Sequence, residues 1–526
     1  MLKQAIEGPE QDMWLEAYKK QLAKIEKKKS WELCDLPKGH KVLPTKWVFD
    51  PKKRALLVVC GNFEKKTDIK TFAAVMNMII VKLFLLVVAI KDWECLQFDF
   101  EAAFLNGKMK TRSVYVHQPS GFRDGTKRVY LLLKILYRLR DSPLIWFWEV
   151  TKLMKREGFE PLSSEACVFV NRDADMWIML YVNDMAIAAA TKEQIEKVAK
   201  QLGETFSLTT LGEVEQFLGL QIVRDRKLKI IQVSQGPYIE RVLNGREWLN
   251  LNDVGSPLDV HMKYNPDLPE LNEKEKNEYL ELVRSAQWIS NNTRPDVAYA
   301  ANFLGRYRQK PTSQHLEQLK RLWRYLSGTR NLGLTLGGTR GVEDLDLWLY
   351  CDASWADDPR TRRTTAGHII YVGDSPIKWQ SKQQTIVTLS TTEAEFINMS
   401  TAGRDMVWIK KLLHDIQIPI PKIPVISTDS KNALIAAESD RRNMSTRHTD
   451  VRYKWVKEKI KNEELILDWV ETGKMKADGL MKSLNPAKQA HFVRLIGLNK
   501  IIIKKKYKKE TQETGSSGAS LAETAV

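Results

Sequence analysis

Apolar positions along the chain change their period several times, and each change predicts a different element. Trp14, Leu15, Tyr18, Leu22 and Ile25 recur at helical spacing ahead of the loop CDLPKGHKVLP. Two strand-like apolar runs flank a basic turn in TKWVFDPKKRALLVVCGNFEKK. The run MIIVKLFLLVVAI, Met78 to Ile90, is apolar on every side except Lys82 and predicts a buried helix. It is too short for a membrane span, which needs about twenty apolar residues. A strand ECLQFDFEAAF follows, then a strand SVYVHQP and a helix DSPLIWFWEVTKLMKREGF with a proline near its start. WIMLYVNDMAIAAA reads as two short strands joined by a two-residue turn with Asn183-Asp184 at its tip, and KEQIEKVAKQLGETF as an amphipathic helix. Strands and helices are mixed without strict alternation, the order of an α+β fold.

The polar, proline-containing stretch around residues 253 to 275 predicts a linker. A helical region, NTRPDVAYAANFLGRYRQKPTSQHLEQLKRLWRYLSGT, runs from there to GGTRG, where a compact unit opens on the strand LDLWLYCDASWADD. The pattern divides the chain into residues 1–35 (helical), 36–252, 253–340 (linker and helices), 341–497, and a tail 498–526 expected to be disordered. No repeat of solenoid spacing is present.

Charge adds a partner to this picture. The chain carries 82 basic against 65 acidic residues, a net +17 spread along its length, which points to a polyanion such as nucleic acid bound in an extended groove. Its five cysteines lie far apart, without zinc spacing, as expected of a reduced intracellular chain. The N-terminus lacks the apolar core of a signal peptide, and neither it nor any other segment predicts a membrane association.

The acids then acquire a chemistry. Asp99 falls inside a β-type run, where a carboxylate is costly unless something pairs with it. Two Mg²⁺ ions held by carboxylates, one from a strand and others from a neighbouring hairpin, form the cradle that two-metal phosphoryl transfer requires.

Collinear strings carry a resemblance. WELCDLPKGHKVLPTKWVF, QFDFEAAFLNG, VYVHQPSGF, YVNDM, LGEVEQFLGLQI, TRPDVAYA, LYCDASWADD, TLSTTEAEF, STDSKNALI, TRHTDVRYKWV and KADGLMKSL follow one another over residues 10 to 497. In this order they resemble the reverse transcriptase and ribonuclease H region of the Pol polyprotein of Ty1/copia-type LTR retrotransposons. The resemblance implies a polymerase with fingers, palm and a helical thumb or connection, followed by a ribonuclease H-like α/β domain. It implies that Asp99, Asn183 and Asp184 stand at the polymerase metal site, with Asp99 and Asp184 catalytic. Asn183 occupies the place of an aspartate. Arg54, Phe104 and Tyr181 stand at nucleotide-binding positions, Phe104 as the steric gate against a ribonucleotide.

In the C-terminal unit Asp352, Glu393, Asp429 and Asp478 match the family's catalytic, metal-binding acids, each of which taken alone is as well explained by capping or by surface charge. Glu395, two positions along the same helix, is expected to face elsewhere. His448 is as readily a surface hydrogen-bonder and stays outside this set. Trp146, Trp355 and Trp379 could stack on bases, but burial is the commoner explanation for a tryptophan. The cofactor implied is Mg²⁺, two per site, with Mn²⁺ as a substitute. The implied partners are an RNA template, a DNA primer, their RNA/DNA hybrid and dNTPs.

Three departures from the family bear on the polymerase half. Asn183 removes a charge, Leu56 replaces a phosphate-clamping arginine beside Arg54, and Arg138 replaces a glycine near the nucleotide. The stretch between KWVF and LLVVCGN also looks short, which puts the fingers hairpin in doubt. The family's protease and integrase regions do not precede Met1, as expected of a truncated copy. The expected function is an RNA-directed DNA polymerase with ribonuclease H and an impaired polymerase site; the alternative is a decayed nucleic-acid-binding relic retaining at most hybrid cleavage.

Overall fold

The computed structural model describes residues 11–50, 54–64, 76–110, 112–246, 248, 252–262, 265, 267–438 and 447–502. The helix Gln11–Lys27 buries Tyr18 and Ile25 in a core shared with Trp47, Leu57 and Val59 of a two-stranded hairpin. That hairpin, Thr45–Asp50 against Arg54–Val59, keeps unbroken antiparallel register from Thr45–Val59 to Asp50–Arg54. The two runs that looked too closely spaced for a fingers hairpin therefore pair, and residues 51–53 between them lie outside the described residues. A four-stranded sheet, Trp31–Cys34, Val129–Leu132, Tyr115–Val116 and Val42–Leu43 in spatial order, completes this lobe.

The palm is a six-stranded antiparallel sheet in the order Leu208–Glu213, Glu94–Phe100, Asp184–Ala189, Met176–Tyr181, Val168–Asn171 and Glu160–Pro161. Residues 36–252 also hold strands that periodicity did not reveal. Gln216–Phe217, Leu220–Asp225 and Ile230–Ser234 form a second sheet with Leu332–Gly337 and Leu498–Lys500. The expected disordered tail thus begins as a paired strand, because Leu498 is buried and the backbone of 498–500 bonds to 332–334. Residues 503–526, the rest of that tail, lie outside the described residues.

Residues 253–262, 265 and 267–272 are largely irregular. Helices Gly236–Asn244, Glu273–Asn292, Ala298–Gly305 and Ser313–Gly328 follow from amphipathic patterns and pack as a helical unit around Trp323 and Tyr279. The C-terminal unit is a five-stranded mixed sheet ordered Ser375–Gln383, Thr365–Val372, Leu347–Ser354, Val425–Thr428 and Ile466–Trp469. Its last three strands run parallel, and the helix Thr391–Asp415 packs on it.

The Met78–Ile90 helix explains how these units cohere. Every residue from Ile80 to Ile90 is buried, and the helix starts where the Asn77 side chain accepts the Ile79 N–H at 3.0 Å. It packs against Leu332–Gly337, Ile230–Ser234 and Ser375–Gln383, so palm and C-terminal sheet share one apolar core. No helix among the described residues is long and apolar enough to cross a membrane.

Candidate active sites

The palm site grows from strand register. Asp184 lies directly opposite Asp99 on adjacent antiparallel strands, so both carboxylates belong to one end of the sheet. The hairpin turn is Val182–Asn183 rather than Asn183–Asp184: Tyr181 pairs with Asp184, which makes Asp184 the first residue of its strand. The left-handed residue the tight turn requires is Val182, at φ 56°. Trp146 holds this turn, its Nε1–H donating to the Val182 carbonyl at 2.7 Å, while the Asn183 carbonyl accepts the Phe100 N–H at 3.0 Å.

The Asn183 side-chain oxygen is buried without a hydrogen-bond partner. An oxygen stripped of water and left unpaired is costly, and a cation would satisfy it. Asp99, Asp184 and this amide oxygen thus suit a divalent ion in donor chemistry, with one negative charge fewer than three carboxylates would supply.

Phe104 is half-buried in the turn Ala103–Asn106, its ring edge-on to Tyr137 at 5.0 Å. Tyr181 is half-buried beside Asp184. Arg54 begins its strand opposite Asp50, but its side chain lies outside the described residues. Leu56, opposite Val48, is half-buried in the same hairpin. Arg138 is exposed and adopts φ 69°, a left-handed conformation that glycine occupies at less cost. Its carbonyl lies so close to Gly61 that a Cβ there would stand 2.3 Å from it.

In the C-terminal unit four acids converge from four elements. Asp352 is buried near the end of Leu347–Ser354, and Asp429 directly follows the parallel strand Val425–Thr428. Asp478 opens the helix Asp478–Met481 and forms an ion pair with Lys482. Gly367, opposite Asp352, lets that helix approach; a Cβ there would lie 2.7 Å from Leu480 Cβ.

The helix glutamate that the structure brings beside Asp352 is Glu395, not the expected Glu393. Glu395 Oε1 accepts the Ala353 N–H at 3.1 Å, beside the Asp352 Oδ1 that accepts the same group at 2.8 Å. Glu395 Oε2 is buried and receives no N–H or O–H. Glu393 instead caps its own helix, accepting the Leu389 N–H at 2.7 Å while its N–H donates to Ser390 Oγ at 3.1 Å. One turn after Glu395, the Asn398 amide donates to the Asp352 and Gly367 carbonyls at 2.8 and 2.9 Å and fixes helix to sheet. The signal was present in the sequence: Ser390-x-x-Glu393 is a capping pattern, which assigns Glu393 to the helix start.

Burial, followed by the Asp429 carboxylate, raises Asp352 to about 6. Burial and then Asp352 push Glu395 well above the usual carboxylate range. Acids crowded and desolvated in this way resist ionising together, and a divalent cation supplies the missing countercharge. Among the described residues no three His, Cys, Asp or Glu side chains are already gathered at metal-binding distance. The donor chemistry fits Mg²⁺ all the same, since hard carboxylate oxygens and one unsatisfied buried oxygen are what such an ion selects. Asp429 Oδ2 accepts the Thr472 hydroxyl at 3.0 Å, which leaves its second oxygen for another ligand.

The side chain of His448 lies outside the described residues. Trp146 and Trp379 are buried and donate to the Val182 and Ser290 carbonyls, each at 2.7 Å, whereas Trp355 is exposed.

A palm with facing aspartates, joined to a mixed sheet with Asp352 on one strand and Asp429 directly after the adjacent parallel one, has the architecture of a reverse transcriptase with an attached ribonuclease H-like domain. Residues 28–260 match the family model described as "Reverse transcriptase (RNA-dependent DNA polymerase)". The chain is 33% identical over 520 residues to the Pol polyprotein of the transposon TNT 1-94 from Nicotiana tabacum, covering 95% of this chain and 39% of that protein. It is 29% identical over 513 residues to the Pol polyprotein of the transposon RE1 from Arabidopsis thaliana, covering 94% and 34%. Against the putative transposon Ty5-1 protein of Saccharomyces cerevisiae it is 30% identical over 308 residues, 57% of this chain and 98% of the relative. A foamy viral protease-reverse transcriptase solved in complex with RNA/DNA hybrid shares the fold at TM-score 0.51 and 13% identity, over 87% of this chain and 53% of that one. The chain belongs to the reverse transcriptase–ribonuclease H region of Ty1/copia-type retrotransposon Pol polyproteins. It spans between a third and two fifths of the length of the plant Pol polyproteins it matches.

Proposed function

We propose that the chain acts on RNA/DNA hybrids through two separate phosphoryl-transfer sites, an impaired DNA polymerase in the palm and a competent ribonuclease H in the C-terminal unit. The observation that carries this reading is the contrast between the two acid sets. Asp352, Glu395, Asp429 and Asp478 retain four carboxylates, while the palm set has an amide at Asn183.

In the nuclease, water adds to a phosphorus of the RNA strand as one phosphodiester bond breaks, leaving a phosphate monoester and a hydroxyl. Asp352 and Glu395, fixed by the Ala353 N–H, hold one side of the reacting phosphate's environment. Asp429 and Asp478 close it from the neighbouring strand and helix. Mg²⁺ ions bound by these acids would supply charge stabilisation at the phosphate and activation of the water. In the palm, Asp99 and Asp184 would play the equivalent role for a primer 3′-hydroxyl and a dNTP. Asn183 preserves the turn but lowers the site's charge, a loss of several kcal/mol and about a thousandfold in rate.

Primer extension on RNA and hybrid cleavage, both with Mg²⁺, test the two halves with the parent chain and N183D. The expected result is cleavage by both proteins and extension mainly by N183D. Equal extension by both would overturn the assigned lesion, and no cleavage by either would overturn the nuclease reading.

A further inference from the structure

Next to the C-terminal acids stands a surface that the chemistry above does not use. Trp355 immediately follows the strand carrying Asp352 and is 43% exposed, although tryptophan usually buries. It is held rather than loose: its Nε1–H donates to the Thr388 carbonyl at 3.0 Å. The Thr388 hydroxyl lies 3.0 Å from that of Thr364, which accepts the Ala356 N–H at 3.2 Å. The same segment exposes Val387 and Leu389, at 51% and 74%, at the start of the helix that carries Glu395. An apolar rim is thus fixed to two of the four elements that deliver these acids, the strand of Asp352 and the helix of Glu395.

The adjoining loop, ADDPRTRRT, has a polarity of its own. Its acids are turned inward: Asp357 accepts the Thr365 N–H and hydroxyl at 2.6 and 2.7 Å. Asp358 accepts the N–H groups of Arg360 and Thr361 at 2.9 and 3.1 Å and the Gln383 amide at 2.7 Å. Arg362 and Arg363 are exposed, with no ion-pair partner among the described residues. Arg362 holds φ 53°, a conformation a non-glycine residue adopts at a cost. A flat apolar ring followed by a loop with two exposed, uncompensated guanidiniums suits a nucleic-acid strand, its sugar on the ring and its phosphates on the arginines.

We infer that Trp355, with Leu389 beside it and Arg362 and Arg363 on the following loop, forms a strand clamp that seats the hybrid against the C-terminal acids. The inference rests on the ribonuclease H reading and names positioning residues for it. Trp355 contributes affinity by stacking, which salt does not screen. The arginines contribute by displacing counterions, which salt opposes.

Binding of a short fluorescein-labelled RNA/DNA hybrid is measured by anisotropy over a range of salt, using the full chain carrying D352N so that the hybrid stays intact. W355A should weaken binding by about five- to a hundredfold and leave the salt slope unchanged. W355F, which keeps a ring, should retain most of the affinity. R362A/R363A should flatten the slope of log K against log salt by about 1.8. L389S alters a side chain too exposed to matter for folding and should weaken binding a few-fold. Binding by W355A and L389S within about twofold of the parent, at unchanged Tm, overturns the clamp while the nuclease reading stands. A parent that binds no hybrid sinks both.

Discussion

Lys82 Nζ lies 3.8 Å from the ring centroid of Trp379, joining the buried palm helix to the edge strand of the C-terminal sheet. The lysine is 2% exposed, and burial, with Lys378 adding to it, lowers its pKa to about 7. The ring face offsets part of the desolvation of this cation, the kind of contact worth about 2 kcal/mol when dry.

Stability should therefore depend on pH through Lys82. The folded chain gives up this proton near pH 7, whereas the unfolded chain keeps it to about 10.5, so unfolding takes up a proton between the two. Stability from this group rises across that window as pH rises, and its full desolvation cost is felt below about pH 7. K82M should remove the slope and stabilise the chain at neutral pH by about 1 kcal/mol or more. Urea titrations at several pH values check both, and a steeper slope in K82M would contradict the assignment.

The two helix glutamates should separate cleanly. E395Q takes a carboxylate from beside Asp352 and should cut hybrid cleavage by about a hundredfold or more. E393Q removes the charge of the side chain that accepts the Leu389 N–H and should cost about 0.5–1 kcal/mol of stability with cleavage nearly intact. Single-turnover cleavage with a parallel thermal melt distinguishes them.

Arg138 offers a gain. Its φ of 69° costs an L-residue roughly 1–2 kcal/mol, part of which glycine returns as chain entropy. R138G should stabilise the chain by about 0.5–1 kcal/mol. A lowered denaturation midpoint would show that the arginine side chain has compensating contacts.

Arg294 and Asp296 should be hard to separate. The pair is fully buried and bidentate at 2.8 and 2.7 Å; Tyr325 adds a hydrogen bond to Asp296 at 2.8 Å, and Arg294 also reaches Thr329. R294M leaves an uncompensated carboxylate and should cost about 3–5 kcal/mol. Denaturant unfolding measures it, and a loss under about 1 kcal/mol would mean that Tyr325 suffices to hold the acid.

Most elements were legible because their patterns are local. The run 78–90, apolar but for Lys82, the paired runs of the fingers and the strand around Asp99 each declare their period within a few residues. Strands such as Leu220–Asp225 and Leu498–Lys500 did not, since their stability comes from partners far along the chain. The acids were expected as a set because they recur in family order, but Glu393 and Glu395 differ only in what the helix does at its first turn. Capping decided between them. The hairpin tip was displaced by one residue because the left-handed position fell to Val182, a residue type that sequence reasoning does not place there.

The pairing of Leu498–Lys500 with Leu332–Gly337 gives the chain the topology of a guest held in a host. Everything between these strands leaves and re-enters at neighbouring strands of one sheet, and the Ile501 and Ile502 N–H groups donate back to Asn331 and Gln232 at 2.8 Å. A stop placed after the helical unit would remove more than the C-terminal unit, because it would strip an edge strand from the host sheet and bare the backbone of Leu332–Gly337. A short bridge from Gly338 to Gly497 would keep the returning strand in place, but it would bare the face of Met78–Ile90 that the C-terminal sheet covers.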